Sequence, residues 1–332
     1  MKTIKKRVLV YLKHRPHRSF RLTRRRDYSR SLELPGYWTF TVQVQKTLWK
    51  NRKVFISVAI TYAVLTALLV GIASQDTYAI VADLLKTYGG DVFAGNWGSI
   101  GQAGILYLSA ITGGMSNNLT DTQQLYAVLI TLLTWLTSVW LLRNILAGHK
   151  VRMRDGIYNA GAPIISTFAV SLVILIQLIP IAFALIGYSA ASVTILLYGG
   201  VESMLFWIVA GLLSILSLYL LTGTIFALII VTLPGMYPMQ AIRAAGNLVI
   251  GRRMRILLRL VWMVFIQLIA WALIMIPIIL LDSWLKSLVS AIDWIPTVPI
   301  IMLILSALTI VWTSSYIYLL YRKVVADGTE SA

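Results

Sequence analysis

The chain has 332 residues, of which 58% are hydrophobic and only 12% charged, yet its net charge is +17. A soluble domain carries about 25% charged residues, so a chain this poor in charge, with apolar blocks longer than a core helix needs, is an integral membrane protein and no soluble globular enzyme. Cysteine is absent, which excludes disulfides, thiolate metal sites and cysteine nucleophiles.

The charge is concentrated at the start. Residues 1–53 carry 16 of the 29 Lys+Arg and two of the 12 acids, Asp27 and Glu33. Within them, 1–34 hold the run Arg24-Arg25-Arg26 and no sustained apolar face, so a mobile basic cytoplasmic arm is expected. Its one apolar run, 8–12, is shorter than the apolar region of a signal peptide, which makes the first span an uncleaved anchor. Arginines near an anionic leaflet each contribute on the order of 1 kcal/mol. Arg24, Arg25 and Arg26 are thus candidate contacts for anionic lipid, with Arg252, Arg253 and Arg255 further along the chain. Contact with RNA is the other option for such an arm. No aromatic–basic platform for single strands is present, and nucleic acid is not the expected partner.

Leu34-Pro35-Gly36 breaks the chain, and 35–53 follow as a separate unit. Tyr37, Phe40, Val44 and Leu48 fall on one helical face. Trp38, Phe40, Val42 and Val44 also alternate, as a short strand would. An interfacial amphipathic helix fits better, because Trp38 and Trp49 are typical of the headgroup region.

A transmembrane domain is expected over 54–323. Six stretches are long enough to cross about 30 Å of hydrocarbon as α-helices: 54–73, 125–145, 163–187, 203–233, 256–281 and 299–321. The fourth is over-long and predicts a tilt, or a break near Gly211 or Gly223. Pro180 and Pro277 are read near the ends of spans three and five. The connecting loops alternate in charge. Loop 74–124 has Lys86 against four acids, and 146–162 has Lys150, Arg152 and Arg154. Loop 188–202 has only Glu202, whereas 234–255 has Arg243, Arg252, Arg253 and Arg255. Loop 282–298 has Lys286 against Asp282 and Asp293, and the tail, 324–332, follows Arg322 and Lys323. The positive-inside rule then puts both termini in the cytoplasm. The fold class is an all-α polytopic bundle of six transmembrane helices in a prokaryotic cytoplasmic membrane.

The outer loop carries two short apolar stretches, 77–88, with Asp76 as N-cap, and 101–112. They read as interfacial helices resting on the bilayer, a lid or partner-binding cap being the alternative. Asn118-Leu119-Thr120 is a glycosylation sequon of low specificity. On the other side, Ile157-Tyr158-Asn159-Ala160-Gly161 and Ile242-Arg243-Ala244-Ala245-Gly246 share the pattern I-x-x-A-G, each leading into a long span. In 238–259, Gln240, Arg243, Asn247 and Gly251 line one helical face, and Met239, Ile242, Ala245 and Val249 another. A cytoplasmic amphipathic helix bent into span five is expected, with the pair of segments as a candidate internal repeat.

From Leu233-Pro234-Gly235 through Met239-Gln240-Ala241-Ile242-Arg243-Ala244-Ala245-Gly246 to Gly251-Arg252-Arg253 the chain resembles a poorly characterised family of six-helix prokaryotic membrane proteins. That family includes the membrane domain fused to some glycerophosphodiester phosphodiesterases. Segment 155–162 is similar to the family's other cytoplasmic helix. The chain departs from the pattern at Gly235-Met236-Tyr237-Pro238, where many members have an acid, and in its longer outer loop. No phosphodiesterase domain is present, so the resemblance implies a fold and leaves function unassigned.

No reaction is spelled out. His14, His17 and His149 lie outside the spans, and no Walker loop, G-x-S-x-G or H-E-x-x-H occurs; no cofactor or metal is expected. Glu202, Asp282 and Asp293 are read as solvated helix-end carboxylates, an outer cation site being the alternative. Gln177 and Gln267 occupy similar places in spans three and five. They serve either as interhelical hydrogen bonds or as substrate contacts in a shared cavity. No carboxylate or histidine sits at midplane, where proton-coupled carriers place one. The expected role is therefore non-enzymatic: an envelope structural or assembly factor, or an accessory with a membrane-protein partner. The runner-up is a transporter or permease-like subunit, and a lipid-handling enzyme comes third. Because the chain lacks cysteine, single-cysteine variants report orientation. In intact cells a membrane-impermeant maleimide should label Ser74→Cys at once and Lys150→Cys only after permeabilisation; the reverse pattern would sink the N-in reading.

Overall fold

The computed structural model describes residues 34–71, 120–192, 200–288 and 295–330. Arg24, Arg25 and Arg26, the outer-loop segments 77–88 and 101–112, Asn118 and Asp293 lie outside these. Among the described residues the structure is helical throughout, without strands. In chain order the helices are α1 (Tyr37–Lys50), α2 (Arg52–Leu69), α3 (Asp121–Leu146), α4 (Met153–Ala160) and α5 (Ile164–Ser192). They continue with α6 (Val201–Thr224), α7 (Ala227–Ile230), α8 (Pro238–Val249), α9 (Arg253–Leu288) and α10 (Thr297–Glu330). Among the described residues six runs are long and apolar enough to cross a membrane: α2, α3, α5, α6 with α7, α9 and α10.

The helices form three units of one design, a short helix followed by a hairpin of two spans: α1–α2–α3, α4–α5–α6 and α8–α9–α10. A polar pin joins the two long helices of each hairpin. Tyr62 Oη and Thr137 Oγ1 are 2.7 Å apart between α2 and α3. Thr224 donates to Gln177 Oε1 between α6 and α5. Gln267 Nε2 donates to Thr309 Oγ1 at 2.8 Å between α9 and α10. The two I-x-x-A-G segments meet the bundle alike, with Ala160 and Ala245 buried and Ile157 and Ile242 packed against the core.

Burial divides the bundle into hub and periphery. Half of the most apolar window of α3 and 44% of that of α10 are buried, against 11% in α5 and in the α6–α7 span. α10 packs on α1, α2, α3, α8 and α9. Ala59 and Ala63, one turn apart on α2, meet Ala307 of α10, a small-residue contact that lets two backbones approach in lipid. The main core lies where the short helices dock, with Phe40, Val44, Leu141, Ile229, Ala245, Ile256 and Tyr316 all buried. There α4 sits so close to α3 that a Cβ on Gly156 would fall 2.8 Å from Leu141 Cγ.

α1 is a helix, as expected, burying Phe40, Thr41 and Val44, whereas α8 turns a different face inward from the one expected. In α8 the inward face is Ala241, Ala245 and Val249, and Met239 is exposed. Span four breaks at Ile225 and Phe226, just after Gly223. Gly251, at φ +78°, makes the left-handed turn between α8 and α9. Pro180 and Pro277 are interior to α5 and α9, which run on to Ser192 and Leu288.

At Pro180 the neighbouring helix repairs the damage. Ser217 of α6 accepts from the Ile181 backbone N–H at 3.1 Å and donates to the Gln177 carbonyl at 2.8 Å. Its hydroxyl is thereby inserted into a bond that an unbroken helix closes by itself. Ser217→Ala leaves a donor and an acceptor unpaired in hydrocarbon and should cost on the order of 1–3 kcal/mol. Ser214→Ala, whose hydroxyl bonds only its own helix at the Ala210 carbonyl, should cost little. Reversible unfolding in mixed micelles compares the two, and equal values would remove the repair role.

Candidate functional site

The charges sort by end. Every described Lys or Arg except Lys286 lies where α1, α4 and α8 dock, whereas Asp121, Glu202, Asp282 and Lys286 lie at the ends near the opposite connections. Asp282 is not a free carboxylate: Lys286 Nζ is 2.8 Å away, and Thr297 donates to its other oxygen. Among the described residues no group of three His, Cys, Asp or Glu could hold a metal ion.

The two amides bond within different hairpins. Gln177 is bound by Thr224 within the α5–α6 hairpin, and Gln267 is bound to Thr309 within the α9–α10 hairpin. Thr309 Oγ1 also accepts from Trp271 Nε1 at 2.8 Å and donates to the Leu305 carbonyl at 2.8 Å. That hydroxyl has one proton and two lone pairs, so all of its capacity is spent. Thr309→Val should therefore cost about 1–2 kcal/mol by releasing two donors at once. Ser306→Ala, whose hydroxyl bonds only the Leu303 carbonyl one turn back, should be close to neutral in the same unfolding assay.

The basic-end arginines play different parts. Arg252 is not a surface contact: it is 2% exposed and donates to the Val324 carbonyl at 3.1 Å, so it holds α10 rather than meeting a headgroup. Arg253 stacks over Tyr219 with its guanidinium carbon 4.3 Å from the ring centre, and Arg255 is exposed. Arg259, which by spacing continues a basic edge with Arg252 and Arg255, is instead buried and donates to the Pro35 carbonyl. It lies over the rings of Tyr37 at 4.6 Å and Phe40 at 5.4 Å. Tyr316 donates to the Arg259 carbonyl at 3.3 Å, and Trp262 Nε1 donates to Thr41 at 3.1 Å. Together these contacts clamp α1 onto α9 and α10.

Arg143 near the end of α3 marks the most chemically distinct place. Its two terminal nitrogens donate to the carbonyl and hydroxyl of Thr232. Beside it a cleft of about 400 Å³ opens between α3, the start of α5 and segment 231–236. Leu136, Trp140, Val231, Leu233 and Met236 are among its apolar lining residues, and Arg143, Asn159, Ser166 and Thr232 are its polar ones. In the sequence Arg143 is a single charge just inside the end of the second apolar stretch, 125–145. The available signal was that an arginine at this depth needs a partner, and the partner lies 89 residues away.

No family model, curated protein or solved structure matches the chain.

Proposed function

We propose that the chain is a non-enzymatic multi-pass protein of a prokaryotic cytoplasmic membrane, with both termini inside, acting as an envelope structural or assembly factor or as an accessory of a membrane complex. One observation carries this reading: Gln177 and Gln267, the amides best placed to meet a substrate, each hold a hydrogen bond to a threonine of their own hairpin and so serve as interhelical ties. Transport is the weaker reading for the same reason. The collection of bases at one end supports the orientation. The kinship with the six-helix family rests on the local pattern around 233–253, which in this fold is α8 and its two flanking turns.

An accessory needs surface to offer a partner. α5, α6 and α9 leave large apolar side chains exposed, among them Phe183, Trp207, Leu212 and Leu273. In a bilayer such faces meet lipid or another transmembrane helix. Anionic lipid is the expected companion of the basic end, through the arm and Arg255. Affinity purification of the tagged full chain in mild detergent, followed by mass spectrometry, should recover a stoichiometric membrane-protein partner and no ATPase. Recovery of an ATPase would move the assignment to a permease-like subunit.

A further inference from the structure

We propose that the cleft beside Arg143 binds a phosphate group, carried on a phospholipid headgroup or free in solution. This goes beyond the proposed role and uses only the membrane reading of the bundle. Charge comes first. Arg143 is the one ionised residue lining the cleft, and no carboxylate lines it. A guanidinium has five N–H donors in a rigid fork suited to phosphate oxygens. Thr232 is its one hydrogen-bond partner among the described residues and engages one donor on each terminal nitrogen. Donors therefore remain for a ligand, and Thr232 fixes the guanidinium in place before the ligand arrives.

The neighbours add to the case. Ala162, Pro163 and Ser166, around the N-terminus of the long helix α5, line the cleft. The partial positive charge at that end of α5 therefore adds to that of Arg143. Asn159 donates its amide N–H to the Asp155 carbonyl at 2.7 Å. The apolar lining residues Leu136, Trp140 and Leu233 suit the glycerol and first methylenes of a lipid better than they suit water. Arg143 stands three residues before the end of α3 at Leu146, toward the end of the span that carries the bases.

The test uses the purified full chain in detergent and reads thermal unfolding as probe is added. The probes are phosphatidylglycerol in mixed micelles, phosphatidylcholine in the same micelles, and inorganic phosphate. Ser166→Leu fills the cleft without touching Arg143, and Arg143→Gln removes the charge. Native mass spectrometry of each variant counts retained lipid. The wild-type chain should be stabilised by at least one probe, and each variant should need about tenfold more of it. A response to lipid but not to inorganic phosphate identifies a headgroup site. A response to inorganic phosphate, lost in both variants, identifies a free-anion site. The proposal is overturned if no probe stabilises the wild-type chain, or if Ser166→Leu responds as the wild type does. Should Arg143→Gln fail to fold, Ser166→Leu decides alone.

Discussion

A backbone amide or carbonyl inside hydrocarbon has only protein to bond with, and each one left unpaired costs several kcal/mol. The bundle is built around that constraint. Where Pro180 disturbs α5, a serine from α6 enters the ladder and serves both sides of the opened bond. Once Ser217 is committed there, α5 and α6 are fixed in register. Thr224, two turns further along α6, then meets Gln177. The tightest pairing of the periphery thus follows from a single helix defect and its repair.

The same constraint explains how the arginines are used. Arg143, Arg252 and Arg259 each donate to a backbone carbonyl: Thr232 after the one-turn helix α7, Val324 late in α10, and Pro35 ahead of α1. The Thr232 and Pro35 carbonyls lie outside the helices, where no helical ladder claims them, whereas that of Val324 lies within α10 and accepts Arg252 in addition. An arginine brings several donors on a long stem, so it reaches such acceptors from a neighbouring helix. Positive charge at this end does structural work as well as marking a side of the membrane.

The six spans were legible from apolar length, and α1 from the spacing of Phe40 and Val44. The I-x-x-A-G pair also pointed to equivalent short helices, because its alanine is the inward residue in both. What the sequence hid is partnership across distance. Ser217 reads as one more small polar residue in an apolar run; its role depends on Pro180, and the Ile181 N–H it accepts from lies 36 positions away. Arg252 and Arg253 are adjacent and look equivalent, yet the turn at Gly251 sends one into the core and leaves the other stacked on Tyr219. The cleft draws on three separated segments, so no local pattern announces it. Charge alternation predicted a side for each loop but could not tell a basic residue that faces the membrane surface from one that ties helices together.

The central place of α10 has a consequence for biogenesis. It is made after every other described helix it binds, so α2 and α3 enter the membrane long before their main neighbour exists. At 5–20 residues per second the wait is on the order of ten seconds or more. Hydroxyls stranded in lipid for that time would invite the wrong partner. In α3 they are already occupied: Thr134 and Ser138 donate to carbonyls of their own helix, and Thr137 pairs with Tyr62 of α2. These three hydroxyls of α3 are therefore satisfied within the first hairpin while it is still short of packing, whereas Arg143 waits for Thr232 and the α2 hydroxyls of Ser57 and Thr61 for Met153.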